Sequence, residues 1–180
     1  MSIMLLRLGL LCLLGSCFAC QPATNEPGEA PDFWGTAEAT LNDEPWSARA
    51  RSLRSAQTPV TYYLNLDQFD ESNSLQGELS FAGIPGQTGT YPLTARIPEQ
   101  SHLIPTATLV LVGDADHPNH HYRLLEGDLH DDFVTVTDFE PGTERFEADF
   151  QASFILAEAC PGAPDTLVFR AGSLVALEGN

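Results

Sequence analysis

The sequence predicts an all-β domain over residues 33–180, built as a single antiparallel β-sandwich, with a β-barrel as the alternative. Three observations carry this expectation. Short runs in which apolar and polar residues alternate recur along the chain, the pattern of strands that bury one face and wet the other. Clusters of Asn, Asp, Pro and Gly separate those runs and serve as turn chemistry. No segment of three helical turns carries an apolar stripe. Many short strands divided by turns imply a sandwich or a barrel.

Taken in chain order, the first strands are expected at Thr36 to Leu41 and Trp46 to Leu53, joined through Asn42-Asp43-Glu44-Pro45. Thr61 to Leu66 and Leu75 to Phe81 follow, with Asp67 to Asn73 as the turn between them. Gly83 to Gly89 reads as a further turn, and Ala107 to Val112 and His121 to Glu126 as strands on either side of Gly113 to Asn119. The clearest pattern comes next. Phe146, Ala148, Phe150, Ala152 and Phe154 alternate with Arg145, Glu147, Asp149, Gln151 and Ser153, which gives a strand one aromatic and one charged face. A helix would scatter those phenylalanines around its axis. Glu140-Pro141-Gly142-Thr143 connects this strand to Phe133–Phe139, so the two form a hairpin. After the loop Cys160 to Asp165, Thr166 to Leu177 is the last strand.

The amino-terminal residues describe export. Arg7 is followed by a charge-free apolar run, Leu8 to Leu14, too short for the roughly 20 residues of a membrane helix. A charged start, a short apolar core and small residues make a secretory signal peptide. Leu14-Gly15-Ser16-Cys17 resembles the bacterial lipobox, in which small residues admit the peptidase and the thiol accepts diacylglycerol. Residues 1–16 are therefore expected to be a lipoprotein signal peptide, with Cys17 the lipidated residue. Cys20 fits less well, because a Cys fills its aliphatic position and the bulky Phe18 lies close by. Residues 17–32, rich in Pro, Gly, Ala, Asn and Glu, form a flexible tether by composition. Cys20 and Cys160 would share an oxidising compartment, and their pairing stays open.

Composition narrows the partners. The formal charge is −17, and loss of Arg7 makes the processed chain one unit more negative. All eight basic residues are Arg. Such a surface repels nucleic acid and bare anionic lipid, so no nucleic-acid partner is expected. The membrane is approached through the lipid anchor instead.

Ala37-Glu38-Ala39-Thr40-Leu41-Asn42-Asp43-Glu44-Pro45-Trp46, Gly89-Thr90-Tyr91-Pro92-Leu93, the pair Val134–Phe139 and Arg145–Phe150, and Phe169–Leu174 together carry a family resemblance. The chain resembles an uncharacterised family of Bacteroidetes-type β-rich lipoproteins, with Asp43 standing where that family has Gly. The resemblance implies an all-β fold and a periplasmic or surface location. It brings no activity with it.

Constellations of reactive side chains are weak. Asp114, Asp116, His117, His120 and His121, followed by His130, Asp131 and Asp132, hold the right donors for zinc. A hairpin loop gathers polar residues without any metal, however, and His120 and His121 would face opposite sides of a strand. Asp114-Ala115-Asp116 opens like a calcium loop, but Pro118 takes a ligand position and the turn Gly is missing. Ser52, Ser55 and Ser80 lack a nucleophile-elbow context. No catalytic, metal or cofactor residue is therefore assigned. Trp34, Trp46, Tyr62, Tyr63 and Tyr91 are candidates for a glycan- or peptide-stacking surface, though Trp46 beside a turn reads as a core plug. The function expected is a non-catalytic binding or adhesion module with a glycan or protein ligand, lipid-anchored in the cell envelope at the outer membrane. The alternatives are an envelope hydrolase or a structural envelope protein.

Overall fold

The computed structural model of the protein describes residues 34–58, 60–95, 103–113, 119–125, 131–158 and 162–179. Among them there is no α-helix, and ten strands run in chain order: β1 (Gly35–Leu41), β2 (Glu44–Arg54), β3 (Thr61–Phe69), β4 (Leu75–Pro85), β5 (Gly89–Pro92), β6 (Thr106–Leu111), β7 (His120–Leu124), β8 (Phe133–Glu140), β9 (Arg145–Leu156) and β10 (Thr166–Glu178). The all-β expectation holds. The preferred sandwich does not: β1, β2, β3, β4, β6, β7, β9 and β10 join edge to edge into a closed eight-stranded antiparallel barrel.

Closure follows from the length of the last two strands. β10 pairs with β9 on one side and with β1 on the other, and its end reaches β2 in a short parallel contact, Leu177 opposite Arg51 and Glu178 opposite Ser52. β9 carries two partners on its other edge. β7 covers Phe154–Leu156, while β8 covers Arg145–Gln151. β7 and β8 thus act as the two halves of one interrupted strand. β5, which the residue pattern does not mark as a strand, pairs along β8 from Gly89 opposite Val136 to Pro92 opposite Phe133.

Alternation sets what each face does. The inward residues of β9, Phe146, Ala148, Phe150, Ala152 and Phe154, are all buried, as the alternation predicts. Phe81 and Phe169 meet Phe150, with ring centroids 5.3 and 6.5 Å apart, and Phe154 stands edge-on to Phe169 at 6.0 Å. Trp46 lies edge-on to the same Phe169 at 5.0 Å, so it is a core plug. An eight-stranded barrel has an interior just wide enough for side chains, and here the rings fill it. Gly172 makes room for them: a β-carbon there would stand 2.5 Å from the Phe150 ring.

Turns and bulges shape the wall. Asn42 and Asp43 both have positive φ, 50° and 69°, so the β1–β2 connection is a two-residue hairpin loop of the type that matches strand twist. β4 runs past Phe81, because Gly83 adopts φ 72° and bends the strand without ending it. β3 likewise continues through Asp67 to Phe69, beyond the turn expected at Asp67. At one barrel end the β8–β9 turn folds inward, where Ser52 Oγ donates to the Glu144 carbonyl at 2.6 Å and Arg54 pairs with the Glu144 carboxylate.

Candidate functional site

A ligand lodged inside the barrel would have to expel phenyl rings whose burial is worth about 1.5–3 kcal/mol each. The outer face, by contrast, carries open grooves. β1 and β2 bring Thr36 opposite Arg49 and Glu38 opposite Ser47, and β3 sets Asp67 across from Arg49. Directly opposed residues share a face, so these side chains all leave the barrel outward.

Above β2 and β3 the outward residues stack in alternation. The Arg51 guanidinium lies 4.9 Å from the Trp34 ring, Trp34 is 6.3 Å from Phe69, and the Arg49 guanidinium lies 4.6 Å from Phe69. Cation–π contacts of this kind hold both cations over apolar surface. Arg49 also donates from Nη2 to Asn73 Oδ1 at 2.8 Å. Arg51 approaches Asp67 Oδ2 at 3.4 Å.

Asp67 is the unusual residue of the group. It is only 4% exposed, and its Oδ1 has no hydrogen-bond partner, nor do Arg49 Nη1 and Arg51 Nε. Burial pushes its carboxyl above the ordinary range, Arg51 pulls it back, and Glu78 on the neighbouring strand raises it again. Asp70, by contrast, is held below the ordinary range by the Ser72 hydroxyl and the Ser74 backbone, and its carboxylate is occupied in closing the β3–β4 turn.

Two grooves run over this face and meet at Thr36 and Glu38. One, of about 260 Å³, is lined by Glu38, Ser47, Arg49, Asp67, Phe69 and Asp70 among others. The second, of about 380 Å³, crosses β1, β10, β9 and β8 and is edged by Glu38, Thr137, Glu147, Asp149 and Ser173.

The residues singled out from sequence are dispersed. His120 is half-buried and His121 exposed, on opposite faces of β7. Asp131 and Asp132 precede β8, whose first partner Gln151 is five positions along β9 from Leu156, the partner of Tyr122. At the usual rise that is about 17 Å, so the described members of the His/Asp cluster do not converge. Asp114, Asp116, His117 and His130 lie outside the described residues. Among the described residues no group of three His, Cys, Asp or Glu is placed to hold a metal ion.

The aromatic candidates separate as well. Trp46 and Tyr62 are in the core, Tyr63 sits beside Leu53 on β2, and the Tyr91 hydroxyl donates to the Gln87 carbonyl at 2.9 Å. Trp34 alone of the five stands in the outer cluster, and its ring partner is Phe69.

No family model, curated protein or solved structure matches the chain.

Arg49, Asp67 and Phe69 were not marked from sequence. Arg49 and Arg51 stand at period two on a strand, which is a usable signal, but their acidic partner Asp67 falls in the segment whose Asn and Asp content predicts a turn. Cys17, Cys20 and Cys160, together with residues 1–16 and 17–32, where a signal peptide and a tether are expected, lie outside the described residues. No described helix is long and apolar enough to cross a membrane.

Proposed function

We propose that the protein is an exported binding module, held at a membrane of the cell envelope by lipid on Cys17, that takes its ligand on the outer face of β1, β2 and β3 without chemical turnover. The observation that carries the reading is the pair of grooves meeting at Glu38 beside an aromatic and arginine stack, with unpartnered polar atoms of Asp67 and Arg49 beneath. Unpartnered buried polar groups cost free energy, and a ligand that satisfies them recovers it. The filled barrel supports a surface site over a lumenal one. The segments that resemble the β-rich lipoprotein family coincide with the β1–β2 hairpin, β5, the β8–β9 hairpin and β10, so that resemblance is compatible with the same reading.

The test is a melting series on the full chain in mild detergent with peptides, glycans, calcium and zinc. A ligand that binds only the folded state stabilises it by about 2.7 kcal/mol at a hundredfold excess over its dissociation constant. The expected result is a shift with a peptide or glycan that disappears in Glu38→Arg, the substitution at the junction of the grooves. A shift confined to zinc and indifferent to Glu38→Arg would favour a hydrolase instead. Attachment is tested by metabolic labelling with a radioactive fatty acid: Cys17→Ala loses the label, whereas label lost in Cys20→Ala and kept in Cys17→Ala would move the anchor.

A further inference from the structure

We infer that the smaller groove, between β1, β2 and β3, binds one neutral sugar ring or comparable polyol, whose hydroxyl bridges Asp67 and Arg49 while its apolar face lies on Phe69. This rests on the binding-module reading and names the ligand class for it.

The donor and acceptor pattern decides the class. Asp67 offers an acceptor in Oδ1, and Arg49, directly across the ladder, offers a donor in Nη1; neither has a partner. A hydroxyl both donates and accepts, so one hydroxyl can satisfy the two together. Thr36, Ser47 and Glu38 add hydroxyl and carboxylate partners around the groove, which suits a ring carrying several hydroxyls.

Charged ligands fit worse. A cation drawn to Asp67 would stand beside the Arg49 and Arg51 guanidinium groups, and an anion drawn to Arg49 would stand beside Glu38 and Asp67. Each meets a like charge in a partly desolvated site, where repulsion is least screened. A neutral polyol meets neither. The volume of about 260 Å³ falls just under the roughly 300–1,000 Å³ of sites for drug-sized molecules, in keeping with a single ring. Phe69, half-buried and lining the groove, supplies the apolar wall.

Access requires one movement. Asp67 Oδ1 and Arg49 Nη1 lie below the groove surface, so the hydroxyl reaches them as the Arg49 guanidinium moves off the Phe69 ring it covers, exchanging its bond to Asn73 Oδ1 for the sugar and freeing that ring face for it. Ser47 is exposed at the groove and does not take part in the buried cluster.

The experiment is a fluorescence and melting titration of the full chain in detergent. The probes are the methyl glycosides of glucose, galactose, mannose and N-acetylglucosamine, with glucosamine and glucuronate as charged counterparts. Trp34, next to Phe69, reports on the site. The expected result is that at least one neutral glycoside binds, that Asp67→Asn and Arg49→Gln each weaken it about tenfold or more, and that Glu158→Gln, at an exposed position outside both grooves, leaves it unchanged. Ser47→Tyr fills the groove from outside and abolishes binding without disturbing the buried cluster, so the inference is tested even if the buried variants fold poorly. Binding of the charged sugars in preference, binding unaffected by Ser47→Tyr, or no binding of any neutral glycoside at millimolar concentration would overturn it. A peptide shift sensitive to Glu38→Arg alongside silent sugars would leave the binding module standing and remove only the sugar. Silence in both series would remove both.

Discussion

Asp67 shows how one residue's setting differs from its type. An aspartate following a Leu-rich strand reads as turn material, yet it lies within β3, nearly enclosed and facing Arg49 and Arg51. Its carboxyl is raised mainly by burial. Above the raised folded value the group is ionised in both folded and unfolded chains, and enclosing the ion costs free energy. As pH falls from that value towards the ordinary one, the folded chain binds the proton first, so Asp67 adds stability across that window. The expected outcome is a carboxyl NMR titration of Asp67 above the ordinary aspartate range. In denaturant melts, wild type should gain on Asp67→Asn as pH falls through the window. A midpoint at or below the ordinary value would show that Arg51 outweighs burial.

At the scale of the element, local pattern and local chemistry agree for the hairpins and diverge at the bulges. The β8–β9 hairpin was legible because five inward residues alternate without interruption and Pro141-Gly142 marks the turn. The β1–β2 turn was legible as a region, but its two-residue form depends on positive φ at both Asn42 and Asp43. Asn42 is secured there by its side chain, whose Oδ1 accepts from the Val168 amide at 2.9 Å. Asp43 is held only by an exposed pair with Arg170 at 3.2 Å, and exposed pairs are worth about 0–1 kcal/mol. Glycine adopts this conformation without steric cost. Asp43→Gly is therefore expected to raise stability by about 0.5–1 kcal/mol in chemical denaturation; a loss of more than that would mean the Arg170 pair outweighs the backbone term. Bulges were not legible. The register slips between Phe169 and Gly172, and Ala171 there takes φ 48°, a conformation that no residue pattern announces.

For the molecule as a whole, closure is the decisive event, and it depends on contacts between the far ends of the chain. β10 meets β1 and β2 across more than a hundred residues, and Gly179 N donates to the Ser52 carbonyl at 2.9 Å to finish the seam. Deleting residues 177–180 removes the parallel contact and leaves part of the β2 edge uncovered, at an expected cost of about 1–3 kcal/mol in a two-state melt. An unchanged midpoint would mean that β1 alone holds the seam. The sequence by itself determined the all-β class, the position of most strands and the inward face of β9, because side-chain alternation and turn residues are local properties of the chain. Only the tertiary structure decided that the sheet closes into a barrel, that β7 and β8 share one edge of β9, and that Asp67 faces Arg49 beside Phe69 and Trp34. Those depend on register between strands remote in sequence. A strand's alternation states which of its residues are buried together but not which strand lies beside it.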